Sequence, residues 1–374
     1  SGFISTPISN LGTLYLESGA LNIANAFTNA GTLQLAGNTA TLFGGAITNT
    51  GTLEGFGSVG SDLANAGEIA PVAGTLIVNG ALTNTGLLSA QAGAKLLARN
   101  FPATAGVISL TGGTFDTAGH TLTNNGQISG YGSLNTGGLT NAGSISITGA
   151  TSTITGDLTN NAGHKVEVLY NPAIFTGHVT NNGLFKSTKT TITFTGLYTE
   201  NGTFFSDPST QIFSDVSIGT NGAWIGSTGD KFVVTGNFSS HSTANTIWNT
   251  DAAELDFQAG TSHTMSLNGL DLGRSYAGYS NNFSWGLLSL AASQTLTFQN
   301  DSENSTAALY LHELSLAGGL AQLAALSGTS DLTLYYDPSL AANNYLNDAT
   351  YTLTGGATLT PIPEPSTLAL TLLA

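Results

Sequence analysis

Leu82-Thr83-Asn84-Thr85-Gly86-Leu87-Leu88 sets the reading of this chain, because near-copies of it recur through the first 225 residues. They read Phe27-Thr28-Asn29-Ala30-Gly31-Thr32-Leu33, Ile47-Thr48-Asn49-Thr50-Gly51-Thr52-Leu53, Leu139-Thr140-Asn141-Ala142-Gly143-Ser144-Ile145 and Val179-Thr180-Asn181-Asn182-Gly183-Leu184-Phe185. In each, an apolar residue enters an Asn–Gly turn and another leaves it. The turn glycines fall at 12, 31, 51, 67, 86, 106, 126, 143, 163, 183, 202 and 222, giving intervals of 16 to 20 residues. Such a period belongs to units that stack as solenoids. The L-x-x-L-x-L-x-x-N pattern of leucine-rich repeats is absent, and strand-type alternation flanks the turns, as in Gly31-Thr32-Leu33-Gln34-Leu35. The fold class that follows is all-β: a right-handed parallel β-helix, or β-solenoid, with coils of ~19–20 residues.

The register supports this. Two positions after the glycine stand Leu14, Leu33, Leu53, Ile69, Leu88, Ile108, Ile128 and Ile145, then Phe185, Phe204 and Trp224. Four before it stand Ile8, Phe27, Ile47, Leu63, Leu82, Leu122, Leu139, Val179, Tyr198 and Ile218. Stacked coils turn each column into an inward row at the ~4.8 Å strand spacing. A third column, two before the glycine, is Asn10, Asn29, Asn49, Asn65, Asn84, Asn124, Asn141 and Asn181. Asn tolerates the left-handed backbone that tight corners use, and stacked amides can bond from coil to coil. The column therefore reads as a structural ladder in preference to a ligand site. Departures are expected at Thr104, at Asn160-Asn161-Ala162-Gly163, where one extra residue predicts a bulge, and at Glu200 and Thr220, which replace Asn. The short steps ending at Gly67 and Gly143 each predict the loss of a short side.

The organisation predicted is regular coils over 1–225, larger irregular coils or a compact β subdomain over 226–358, and an extended tail over 359–374. Leu320 to Leu326 is the one expected helical stretch. Charged residues are 8% of the chain, against about 25% in an average globular protein, while Gly reaches 48 of 374. Net charge is −15 with seven Lys or Arg, scattered in sequence, which disfavours nucleic-acid binding. The absence of Cys excludes disulfides and thiolate metal sites. The start at Ser1, without Met, agrees with a removed export leader.

At the other end Pro363-Glu364-Pro365-Ser366-Thr367 precedes Leu368-Ala369-Leu370. This run resembles the PEP-CTERM sorting signal of Gram-negative bacteria, although the apolar run after it is short and no Arg cluster follows. The resemblance implies an exported protein handled by an exosortase, at the cell surface or in a biofilm matrix.

Candidate chemistry is sparse. Asp157 and His178 each precede an inward residue of successive coils, with Asp62 on the same row, so an acid–base pair is one reading and a solvated surface pair the other. His164-Lys165-Val166-Glu167 reads as an exposed mixed-charge strand. Asn300-Asp301-Ser302-Glu303-Asn304 clusters oxygen donors suited to Ca²⁺ but lacks the EF-hand spacing. No nucleophile elbow, zinc-protease or P-loop motif occurs. The sequence therefore predicts no enzyme, no catalytic residue, no metal and no cofactor. It predicts an extracellular structural protein whose copies stack head to tail into filaments. The alternatives are a monomeric surface rod that binds exopolysaccharide and, behind that, a polysaccharide lyase or hydrolase.

Overall fold

The computed structural model describes residues 1–302 and 305–363. They form a β-solenoid of parallel stacked coils, grouped into two compact units, Ser1–Gly196 and Leu197–Ala374. The division falls ahead of the 225/226 boundary read from the sequence.

In Ser1–Gly196 each coil has three sides, and each side pairs in parallel with the same side of the next coil. The first side follows the turn glycine, as in Leu87–Gln91; the second is Ala94–Asn100; the third leads into the next turn, as in Leu63–Asn65 or Gly138–Asn141. On the first side Leu88 faces Ile108, Ile108 faces Ile128, and the row continues through Ile145, Val166 and Phe185. On the third side Leu122, Leu139, Leu158 and Val179 stand in line. The second side supplies a further inward row, Leu76, Leu96, Phe115, Leu134, Ile154, Phe175 and Phe194. Members of all three rows are at most 2% exposed. The core is thus a column of stacked apolar layers, ending in packed rings where Phe175 lies 5.3 Å from Phe194 and 5.5 Å from Phe185.

The outward residue of the third side is Thr in most coils: Thr28 pairs with Thr48, Thr123 with Thr140, Thr140 with Thr159, and Thr159 with Thr180. Thr83 belongs to the same row, which Ala64 and Ala103 interrupt.

The short coils keep all three sides. Ala36 faces Phe56 and Thr41 faces Ser58, so one residue, Gly57, bridges a corner that takes four in the preceding coil. Likewise Thr111 faces Tyr131 and Thr114 faces Ser133. Residues are removed from corners, and not as a side.

In Leu197–Ala374 the rows widen and become aromatic. Phe204 faces Trp224, whose indole stacks on Phe232 at 4.6 Å and 17° and on Phe213 at 5.2 Å. Phe232, Leu255, Leu288 and Leu314 continue as an inward row, so these strands are larger coils of the same kind. Among the described residues, three 3₁₀ helices, Tyr276–Tyr279, Gly319–Ala325 and Ala341–Leu346, ride on the longer connections. The second covers most of the expected helical stretch. The final strand, Thr358–Pro361, pairs in parallel with Leu332–Tyr336 on one edge and antiparallel with Tyr351–Thr352 on the other. That hairpin covers the Thr358 and Leu359 part of the edge on which a further parallel strand would add.

Candidate functional sites

The Asn–Gly turn is a site of structure. Asn10 Nδ2 donates to Asn29 Oδ1 at 2.6 Å, Asn29 to Asn49, Asn49 to Asn65 and Asn65 to Asn84, each at 2.7 Å. Asn84 donates to the Thr104 hydroxyl at 3.1 Å, so Thr104 holds a rung of the ladder. The chain of amides resumes from Asn124 to Asn141 and on to Asn160 and Asn181. The second N–H of the amide reaches main-chain carbonyls, as from Asn49 to Glu68 at 3.0 Å. The carbonyl of Asn29 accepts from both Thr50 N and Gly51 N. A buried turn thereby satisfies its polar groups from the neighbouring coil.

Four details of the sequence reading change. No ladder Asn has positive φ; each closes a strand, so the amide and not left-handed backbone selects Asn. The turn glycine is required by contact: a Cβ at Gly86 would lie 2.2 Å from Gly67 O, and at Gly51 2.1 Å from Gly31 O. At the insertion, the rung is Asn160, while Asn161 lies in the lengthened turn and Gly163 takes φ +79°. At Thr220 the lengthened turn moves the register: Ile218 faces Glu200 and Val216 faces Tyr198, so Ile218 occupies the Asn column and Thr220 lies beyond it. Glu200 itself is fully buried, accepting from Tyr198 Oη and Gly202 N, both at 2.8 Å. Burial, and then the adjacent Glu200 carboxylate, hold the Tyr198 phenol well above its ordinary pKa.

Asp157 and His178 do meet, but through the main chain: His178 N–H donates to Asp157 Oδ1 at 2.8 Å. Asp62 receives Ala81 N–H and Asp215 receives Asn237 N–H in the same manner, each at 2.8 Å. The carboxylate supplies an acceptor at a corner, and the N–H it satisfies follows a glycine in each case: Gly80, Gly177 and Gly236. The sequence carries this signal as Asp-apolar in one coil and Gly-x-apolar in the next. In the mixed-charge strand, Lys165 pairs with Glu167 at 2.8 Å on a partly exposed face. In the proposed Ca²⁺ loop, Asn300 donates to Asp331 at 2.7 Å and Asp301 accepts from Ser266 in the strand Ser262–Leu267, so two of its side chains are engaged within the protein. Glu303 and Asn304 lie outside the described residues, as do Glu364 and Pro365 of the sorting motif; Pro363 is exposed. The residue before it, Ile362, is fully buried, and Arg274 Nε donates to Pro361 O at 2.7 Å.

Sequence reasoning missed one titratable cluster. His312 Nε2 lies 3.0 Å from Asp251 Oδ1 and its Nδ1 lies 4.0 Å from Asp337 Oδ2. Its ring stacks on Tyr279 at 4.0 Å and 8°. Ser284 Oγ also bonds Asp251, and Tyr276 Oη bonds Asp337. The bond to Asp251 holds the imidazole above its ordinary pKa, against the effect of burial. These residues come from four separate stretches, which only the larger coils bring together. A recess of about 450 Å³ beside them is lined by Asp251, Tyr279, Trp248 and the amides of Asn249, Asn281 and Asn282. Among the described residues, Asp251 is the one carboxylate that lines it. Among the described residues, no group of three or more His, Asp or Glu is placed to hold a metal ion, and no helix is long and apolar enough to cross a membrane.

No protein-family model, curated protein or solved structure matches the chain.

Proposed function

We propose that this is an extracellular structural protein, a β-solenoid scaffold of the cell surface or biofilm matrix. The observation that carries it is where the polar chemistry goes. The amides of the Asn ladder bond to the next coil, and the corner carboxylates of Asp62, Asp157 and Asp215 bond main-chain N–H groups. Such bonding gives a Cys-free chain coil-to-coil ties in place of disulfide staples. The resemblance of Pro363-Glu364-Pro365 to a sorting signal supports export and an exosortase as the handling enzyme.

Of the two structural forms expected, the hairpin at Tyr351–Thr352 favours the monomeric rod over head-to-tail filaments. Coil-on-coil addition needs an open parallel edge at both ends, and on Thr358–Pro361 the outer edge is already paired at Thr358 and Leu359. In this form the Thr, Ser and Asn side chains of the outer faces meet exopolysaccharide. Negative-stain electron microscopy of the purified full chain tests it. Discrete particles at all concentrations support the rod; fibres that lengthen with concentration restore the filament; turnover of an exopolysaccharide panel defeats the structural reading.

A further inference from the structure

The outward row of the third side in Ser1–Gly196 is unlike the other surfaces of that unit. From Thr28 to Thr180 it carries threonine in all but two positions, aligned one per coil by the parallel pairing. Thr28, Thr48 and Thr83 are exposed and the later members half-buried. Among the described residues, none of these hydroxyls bonds within the protein, whereas Thr50 and Thr85, one turn away, do. β-Branching fixes the side chains, so the row is a stiff line of methyls and unpaired hydroxyls repeating at ~4.8 Å. The row carries no charge, while the first and second sides hold Glu54, Glu68, Lys95, Asp116, Lys165 and Glu167.

We infer that this threonine row is a lateral contact face for a second copy of the same chain; this rests on the scaffold reading proposed above and makes the rod monomeric only when dilute. A foreign polymer would need a repeat that coincides with the coil spacing; another copy shares it by construction. A two-fold axis running along the row sets each threonine opposite its own counterpart. It keeps both copies pointing the same way, as neighbours held on one surface would. It also sets Asp62 and Asp157, which flank the row on one margin, on opposite margins of the joint. On a chain of net charge −15, an uncharged face is where two copies approach without repulsion. Identical small side chains in register on two facing sheets pack as dry, interdigitated rows.

The size of the face fixes the strength of the contact. A row of about 40 Å by ~10 Å buries roughly 800 Å² over both copies, below the ~1,200 Å² of stable complexes. Pairing is therefore weak in dilute solution and cumulative where copies are crowded.

The chain has no cysteine, so a single Thr83→Cys substitution places a thiol on the row that meets only its counterpart. Under mild oxidation of the full-length protein, this variant forms disulfide dimers at least about tenfold faster than Ser109→Cys on the first side, if proximity sets the rate. Equal rates overturn the proposal. Small-angle scattering of the unmodified protein at rising concentration provides the second arm. Lateral pairing raises the cross-sectional radius and leaves the length unchanged, and Thr48→Glu/Thr83→Glu/Thr140→Glu removes the rise. A rise in length alone overturns lateral pairing while supporting end-to-end assembly. Retention of wild-type, but not the triple variant, on a neutral polysaccharide without any self-association assigns the row to that ligand and likewise overturns the proposal. Scaffold function as such is judged separately, by the turnover assay above.

Discussion

At Asn65 two bonds of one amide run along the stack, one accepted from Asn49 and one donated to Asn84. Asn65→Ala strands a buried donor on one side and a buried acceptor on the other, so it is expected to cost about 2–4 kcal/mol in urea unfolding. Asn10→Ala strands acceptors alone, Asn29 Oδ1 and Thr32 O, at the partly buried first rung, and is expected to cost about 1 kcal/mol. Equal losses would show that the ladder is not what the amides contribute. Glycine makes a second contrast. Gly86→Ala drives a methyl into Gly67 O and forces two coils apart, at about 3 kcal/mol or more. Gly163→Ala meets open space and pays only for its φ of +79°, at about 1 kcal/mol. The repeat made both residue types visible in the sequence. It could not reveal why glycine is needed, because a close approach between coils leaves no local mark.

Among the elements, the Asp–His row shows how a correct adjacency can mislead. The row did bring Asp157 beside His178, yet the bond runs to main-chain N–H, which any residue but proline would supply at 178. Asp157→Ala and Asp62→Ala are each expected to lower stability by about 1 kcal/mol and to leave the far-ultraviolet spectrum unchanged. The second side was not legible at all, since its strands vary in distance from the turn glycine while the corners absorb the difference. The His312 cluster lay equally out of sight, because four stretches of unequal spacing build it. Its strands are tied by an imidazole that faces Asp251 and Asp337 and stacks on Tyr279, while Tyr276 bonds Asp337. A folded pKa above the ordinary ~6.5 means that its stabilisation is complete below that value. It is lost as pH rises through the raised folded value. Melting temperature should fall across that interval in the wild type, and the fall should shrink in His312→Gln; a His312→Gln curve with the same slope would remove the clamp.

Over the whole molecule, regular spacing governed legibility. Where the interval held near 20 residues, columns in the sequence became rows in the structure. Past Gly222 the period lengthens, and there individual strands were readable but not their partners. Phe232, Leu255 and Leu288 align only through pairing that the sequence spacing does not state. The same dependence on neighbours predicts how each unit unfolds. Residues of one coil touch the coils before and after, so stability is a sum of local terms, and the ends open first. Hydrogen exchange should protect Leu88 and Ile108 amides far more than those of Gly2–Ile4, where the strand has one paired edge. Uniform protection across Ser1–Gly196 would show all-or-none opening instead.

The corner at Thr104 has one more consequence, which concerns ancestry. Its coil, Leu87–Gly106, begins and ends at equivalent points of the turn, and Glu68 faces Leu87 as Leu87 faces Val107. Excising Leu87–Gly106 would join Gly86 to Val107, bring Asn124 within reach of the Asn84 amide, and leave every other row in register. The length of Ser1–Gly196 is thus a tally of interchangeable units, and evolution can add to it or subtract from it one coil at a time without redesigning a core.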